Sequence, residues 1–183
     1  MLPARKAIVR RSKGRRPENE PREKGDLPMN LPADAGDLRP GQTIGKCRVE
    51  REIGRGGMGA VYLARHTTLD VPVALKILPP HVAKRDPGYA ERFLREARMA
   101  ARLRHPNVVA VMDADRDEAT GLYYIVEEYI DGGSMAARLG KGPIPEAKAL
   151  AVVAAIARAL QAAAKQGIIH RDIKPDNVFV LDL

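Results

Sequence analysis

The stretch His170-Arg171-Asp172-Ile173-Lys174-Pro175-Asp176-Asn177 carries the densest chemistry in the chain. From Asp172 to Asn177 it offers a carboxylate, an ammonium (Lys174) and a carboxamide, and Pro175 forbids a helix from running through them. An acceptor for a hydroxyl proton, a cation for a phosphate and an amide oxygen for a metal ion are what phosphoryl transfer asks of a protein. A polar turn after a helix could hold the same residues to no purpose. A second motif upstream therefore has to agree.

That motif begins where Val49 and Ile53 lead into Gly54-Arg55-Gly56-Gly57-Met58-Gly59, after which Ala60-Val61-Tyr62-Leu63-Ala64 resumes strand chemistry. Glycines 54, 56 and 59 satisfy G-x-G-x-x-G, which two nucleotide-binding folds share. A dinucleotide site needs a helix to open at the glycines and an acid about 20 residues on. Here β-branched and aromatic residues follow, so the glycines belong to a hairpin between two strands. A Walker A loop is excluded because no Lys-Ser/Thr pair follows a glycine at the required place.

Val71 to Leu78 alternates with period two, placing Val73, Leu75 and Ile77 on one face and Ala74 with Lys76 on the other. A lysine in so apolar a strand needs a partner or a ligand. Asp86-Pro87 predicts a helix start, a capping side chain followed by proline at the first helical position, and the helix should run to about Leu103. Its apolar stripe is Phe93, Ala100 and Leu103, and Glu96 lies on it. A carboxylate facing a core is costly unless paired. Lys76 is the obvious cation, with Arg92, Arg95 and Arg98 as alternatives.

Val108 to Met112 and Leu122 to Glu128 predict two further strands around a charged turn, Asp115 to Gly121. Tyr129-Ile130-Asp131-Gly132-Gly133 has the glycines of a hinge. Pro145-Glu146 opens another helix, with the stripe Ala149, Val153, Ile156, Leu160 and Ala163 and a stop at Gly167. Val178-Phe179-Val180 predicts a final strand.

In this order, across residues 44 to 183, these segments resemble eukaryotic-type (Hanks-type) serine/threonine protein kinases, and the glycine-loop wording is most similar to bacterial members. Lys174, two places after Asp172, resembles the serine/threonine branch. The resemblance implies an α+β, protein-kinase-like fold: a complete N-lobe of antiparallel sheet plus the αC helix, at about 44–130, a hinge at about 128–133, and the first part of a helical C-lobe, 134–183. It implies transfer of the ATP γ-phosphoryl group to a protein Ser/Thr hydroxyl, with ATP and Mg²⁺ as cofactors. The implied catalytic residues are Asp172 as proton acceptor, Lys174 on the γ-phosphate and Asn177 as a Mg²⁺ ligand. The implied nucleotide site is Ile53, Gly54, Gly56, Gly59, Val61, Ala74, Lys76, Glu96, Glu128, Ile130, Asp131 and Phe179. In that site Lys76 pairs with Glu96 and holds phosphates, backbone groups of Glu128 and Ile130 bond the adenine edge, Asp131 reaches the ribose and Phe179 is the floor. Two positions depart from the family pattern. Glu127 stands where an apolar residue is usual beside the adenine, and Ala164 where a histidine is frequent. The family's D-F-G aspartate lies about a dozen residues past the catalytic-loop asparagine. Asp182 lies five past Asn177 and is followed by Leu183, so it is not that residue. The expectation is a kinase domain that stops early, with little or no kinase activity as it stands. Two other classes remain: a non-catalytic pseudokinase module that binds nucleotide or a partner, and a basic-tailed interaction protein.

Composition sets the outer bounds. A chain of 183 residues suffices for one domain, and 45% hydrophobic residues with no tryptophan and two phenylalanines predict an aliphatic core. The net charge is +8, yet seven Lys/Arg lie in residues 5 to 16 without an acid, which leaves +1 for the remainder. The basic character belongs to a tail, residues 1–40, expected to be disordered, and 41–183 to the partial kinase domain. The tail's arginines could meet acidic lipid, nucleic acid or a partner, but no specific nucleic acid is expected. Cys47, the single cysteine, fits a reducing compartment, and His66, His81, His105 and His170 show no metal-ligand spacing. No apolar segment follows the N-terminal charges as a secretory signal requires. The apolar run Ala149 to Ala164 contains Arg158 and is expected to be a helix with a buried face rather than a membrane span. A cytoplasmic location is expected.

Overall fold

The computed structural model describes residues 7–9, 37–56 and 59–181. The elements in chain order are β1 (Ala7–Val9), β2 (Thr43–Ile44), β3 (Cys47–Gly56), β4 (Gly59–His66), β5 (Val71–Ile77), α1 (Pro80–Arg85), α2 (Pro87–Arg102), β6 (Val111–Arg116), β7 (Tyr123–Glu128), β8 (Gly133–Ser134), α3 (Met135–Leu139), α4 (Glu146–Ala164) and β9 (Val178–Val180), with a single 3-10 turn at Pro175–Asn177 before β9. Six strands form an antiparallel sheet in the order β2-β3-β4-β5-β7-β6. This is the expected N-lobe, built from the alternation seen in the sequence.

Period two sorts the sheet's side chains onto two faces. Val49, Tyr62, Ala64, Val73, Leu75, Ile77, Tyr124 and Val126 form the main core with Leu38, Ile44 and Cys47. Burial there, then the Asp113 carboxylate, push the Cys47 thiol up to about 11. The opposite face is divided between a helix and a cleft. Helix α2 seats Ala90, Phe93 and Ala97 against Leu78 and Ile125. The Asp86 carboxylate accepts a hydrogen bond from the Tyr89 N–H at 3.2 Å, capping the helix as its sequence predicts.

The chain then passes through Ile130 and Gly132 into the start of the helical part, where the Ser134 hydroxyl accepts from the Ala137 N–H to cap α3. Helix α4 corrects one expectation. Its buried residues are Val152, Ala155, Ala159 and Ala163; of the expected stripe Ala163 is buried and Ile156 packs partly buried on the core, while Val153 and Leu160 are 61% and 37% exposed. Val152 and Ala155 seat on Val178, Val180 and Met135, and Ala163 on Leu103 and Ile168, small side chains that let the helix approach closely. The large Leu150, Val153 and Leu160 are left outward. By length and composition α4 could also cross a bilayer, the one such helix among the described residues.

Two findings revise the tail. Leu38 is buried and its N–H donates to the Tyr62 hydroxyl at 3.2 Å, so the packed domain includes residues before 41. Ala7–Val9, inside the stretch expected to lack order, forms a strand parallel to β9 with Ile8 opposite Phe179, and α4 lies against it. An open strand edge presents unpaired N–H and C=O groups, and a β-prone Ala-Ile-Val segment satisfies them. The rest of residues 1–36, with most of the basic cluster, lies outside the described residues.

Candidate active site

Between the sheet and the first helical segments lies a cleft of about 250 Å³ lined by Arg51, Ile53, Gly54, Val61, Ala74, Val109, Glu127, Glu128, Tyr129, Ile130, Gly132 and Phe179. Seven of the nucleotide-site residues expected from sequence therefore meet on one cavity: Ile53, Gly54, Val61, Ala74, Glu128, Ile130 and Phe179. Cross-strand registers Gly54↔Val61, Leu63↔Ala74 and Val61↔Lys76 set the roof. Phe179 on β9 packs with Val109, Ile130 and Leu181 to make the floor.

The remaining expected residues lie around this lining. Lys76 is half-buried and projects from the same face of β5 as Ala74, two residues back. Glu96 is half-buried on α2, and burial, then the Glu96 carboxylate, raise the Tyr89 hydroxyl above its ordinary value. Asp131 is exposed next to the lining residue Gly132. Gly56 and Gly59 pair at the hairpin tip, beyond the cavity wall.

The glycines turn out to have different causes. Gly59 has φ +129°, and a Cβ there would sit 2.1 Å from the Ile77 carbonyl oxygen, so the fold itself requires it. Around Gly54 and Gly56 a Cβ would meet nothing within 4 Å, and neither has a positive φ. The described fold leaves open space at those two positions.

Below the cleft the loop His170–Asn177 is assembled by its own polar groups. Asn177, 8% exposed, donates from Nδ2 to the Asp172 backbone oxygen and to Asp172 Oδ2, both at 2.9 Å. Lys174 Nζ lies 3.3 Å from Asp172 Oδ1, and the Asp172 N–H donates to His170 Nδ1 at 3.2 Å. Arg171 takes φ 63°, a left-handed conformation that a non-glycine residue holds only when its surroundings impose it. Each Asp172 oxygen thus has one donor and keeps a lone pair, and Asn177 retains its carbonyl oxygen. The three residues singled out as catalytic are together, two residues before the floor strand's Phe179.

Sequence reasoning missed Arg51, Val109, Tyr129 and Gly132 as lining residues. Val109 follows a His-Pro-Asn turn with nothing to distinguish it from a core valine. Gly132 could have been found, since a Cβ there would lie 2.7 Å from the Val180 carbonyl oxygen, but only the fold brings β9 that close.

A sheet roof edged by glycines, a hinge wall and a loop of Asp, Lys and Asn thus meet around one cleft. The sequence profile of the protein kinase domain matches residues 47–182. The chain is 43% identical over 140 residues to the serine/threonine-protein kinase PknJ of Mycobacterium tuberculosis, covering 76% of this chain and 23% of that protein. It is 38% identical over 141 residues to the serine/threonine-protein kinase Pkn1 of Myxococcus xanthus, covering 77% and 20%. The crystal structure of the M. tuberculosis PknI kinase domain superposes with a TM-score of 0.68 at 33% identity, over 79% of this chain and 61% of that one. The chain belongs to the protein kinase domain family. It spans about a fifth of the length of these curated relatives and about three fifths of the solved kinase domain.

Proposed function

We propose that this chain carries the nucleotide-binding lobe and catalytic loop of a serine/threonine protein kinase, which moves the γ-phosphoryl group of ATP to a Ser or Thr hydroxyl of a protein substrate. The observation that carries this reading is the Asp172 carboxylate, held from both sides by Asn177 and Lys174 directly before the strand that floors the cleft.

The residues present fit ATP. Ala74 and Val61 above and Phe179 below offer apolar faces to a planar base, and the open space at Gly54 and Gly56 admits phosphates. The Glu128 N–H is already donated to the Ala110 oxygen at 2.8 Å and the Ile130 carbonyl accepts from the Gly132 N–H at 2.9 Å. Contacts to the base edge then fall to the Glu128 carbonyl and the Ile130 N–H, one acceptor and one donor. Asp172 orients the substrate hydroxyl and takes its proton as the new O–P bond forms and the bond to the ADP oxygen breaks; Lys174 lies beside it to offset phosphate charge. Mg²⁺ would supply charge neutralisation at the phosphates. Asn177 Oδ1 is the ligand this loop offers it. Among the described residues no group of three or more His, Cys, Asp or Glu could hold a metal ion.

A cytoplasmic site of action is supported by the buried thiol of the single cysteine. A soluble-side role for α4 is supported by its seam on Val178 and Val180, and the absence of a specific nucleic-acid partner by the confinement of excess charge to the tail. Calorimetric titration of Mg·ATP into the chain tests the site: saturable binding is expected, at least tenfold weaker in Lys76→Met. Asp172→Asn should keep nucleotide binding and remove any phosphate transfer to Ser/Thr peptides. A wild-type chain that binds no nucleotide at any accessible concentration ends the proposal.

A further inference from the structure

Most side chains that wall the cleft are apolar, among them Val61, Ala74, Val109 and Phe179, and one acidic side chain enters from the strand that leads to the hinge. Glu127 pairs across the sheet with Ala74 on β5 and with Val111 on β6. Directly opposed residues project to the same face, so the Glu127 side chain leaves the sheet on the cleft side, beside Ala74. It is half-buried, and among the described residues no hydrogen bond or ion pair engages its carboxylate. A partly desolvated carboxylate without a donor is unfavourable in the empty protein and becomes favourable when a ligand brings one.

The position of Glu127 says which donor. A base held flat between Ala74 and Phe179 presents one edge to residues 128–130. With a purine N1 accepting from the Ile130 N–H, its 6-substituent faces the Glu128 carbonyl, one step deeper along the wall, and the next residue inward is Glu127. A 6-amino group has two N–H bonds, one for the Glu128 carbonyl and one left over. A 6-oxo group has none and places lone pairs against the carboxylate, which accepts only.

The geometry points to Glu127 as a specificity-determining residue: its carboxylate accepts the second N–H of a 6-aminopurine and rejects 6-oxopurines, so the site takes adenine nucleotides over inosine and guanine nucleotides. This rests on the nucleotide-binding reading above. A charge-assisted hydrogen bond at a half-exposed position corresponds to about tenfold in affinity.

The test compares Mg·ATP with Mg·ITP, in which the 6-amino group is replaced by an oxo group and N1 carries a proton, by isothermal titration into the full chain and into Glu127→Gln and Glu127→Met; the N1 difference is common to all three chains, so the change in ratio reports on residue 127. The ratio of the two dissociation constants should fall at least fivefold in both variants, mainly through weaker ATP binding. A ratio that changes less than that, or a Glu127→Met chain that binds ATP more tightly than wild type, overturns the inference while leaving the nucleotide site intact. A wild-type chain that binds neither nucleotide removes the nucleotide site itself, and this inference with it. Glu127→Gln keeps the shape of the side chain and serves where the methionine variant does not fold, as judged by circular dichroism.

Discussion

At the residue scale, three glycines of one motif carry unequal burdens. Gly59→Ala forces a Cβ into the Ile77 carbonyl at a positive φ, and we expect a loss of about 2 kcal/mol or more in urea unfolding. Gly54→Ala meets open space, so stability should hold within about 1 kcal/mol, or rise through a stiffer unfolded chain, while Mg·ATP affinity falls. Equal destabilisation by both would mean that the hairpin needs every glycine and that none is reserved for a ligand. Buried acids of the core give a second expectation. The Cys47 thiol rises from 9.0 to about 11, by burial and then Asp113, and the Tyr124 hydroxyl from 10.0 to about 12, by burial and then neighbouring aspartates led by Asp113. In both cases the unfolded chain loses its proton first as pH rises. The folded state is therefore favoured fully below about pH 9, and stability falls from there to about pH 12. Urea midpoints measured across that range should decline, and Cys47→Ala should flatten the part between 9 and 11. A flat wild-type profile contradicts the burial of these groups.

At the element scale, helix α4 shows how apolar content and burial separate. Leu150 and Val153 are each 61% exposed although they are larger than the alanines that form the seam. Substituting Leu150→Glu and Val153→Glu should cost less than about 1 kcal/mol, since little apolar area is lost to water. The same pair should lower concentration-dependent self-association in sedimentation velocity, because the outward face is a contiguous apolar surface in the chain as it stands. The contrasting change is Ala159→Leu, which inserts volume into the seam and should cost about 1–3 kcal/mol. If the outer pair destabilises more than the seam change, the helix is seated on the other face. Helix α2 needs a smaller revision. Its capping aspartate and Phe93 are where the sequence put them, but Ala90 and Ala97 complete the buried face rather than Ala100, and Leu103 is the C-cap, packed with Ala163 and Ile168.

At the scale of the whole molecule, the cleft depends on keeping the sheet and the catalytic loop together through β9, which carries the floor residue Phe179 and pairs with both β8 and β1. A ligand that bridges roof and floor should stabilise the pair as a unit: at about 100 times its dissociation constant, Mg·ATP contributes about 2.7 kcal/mol and should raise the melting temperature by several degrees. No shift at saturating nucleotide would show that the cleft does not close on it. The strand expected at 108–112 lies instead at Val111–Arg116, running into the expected turn; the sequence by itself determined β5 and its faces, the strand before the hinge, the glycine hairpin, the α2 cap, and the Asp172, Lys174 and Asn177 loop. Each of those is a pattern within a few residues, and backbone geometry turns such patterns directly into direction and spacing. Only the tertiary structure decided that α4 seats on its alanines, that Ala7–Val9 takes the edge of β9, that Gly59 and not Gly54 is demanded by the fold, and that Val109 lines the cavity. Those outcomes turn on the shape and open hydrogen-bonding groups of segments remote in the chain, and no local period encodes what a distant surface leaves unfilled.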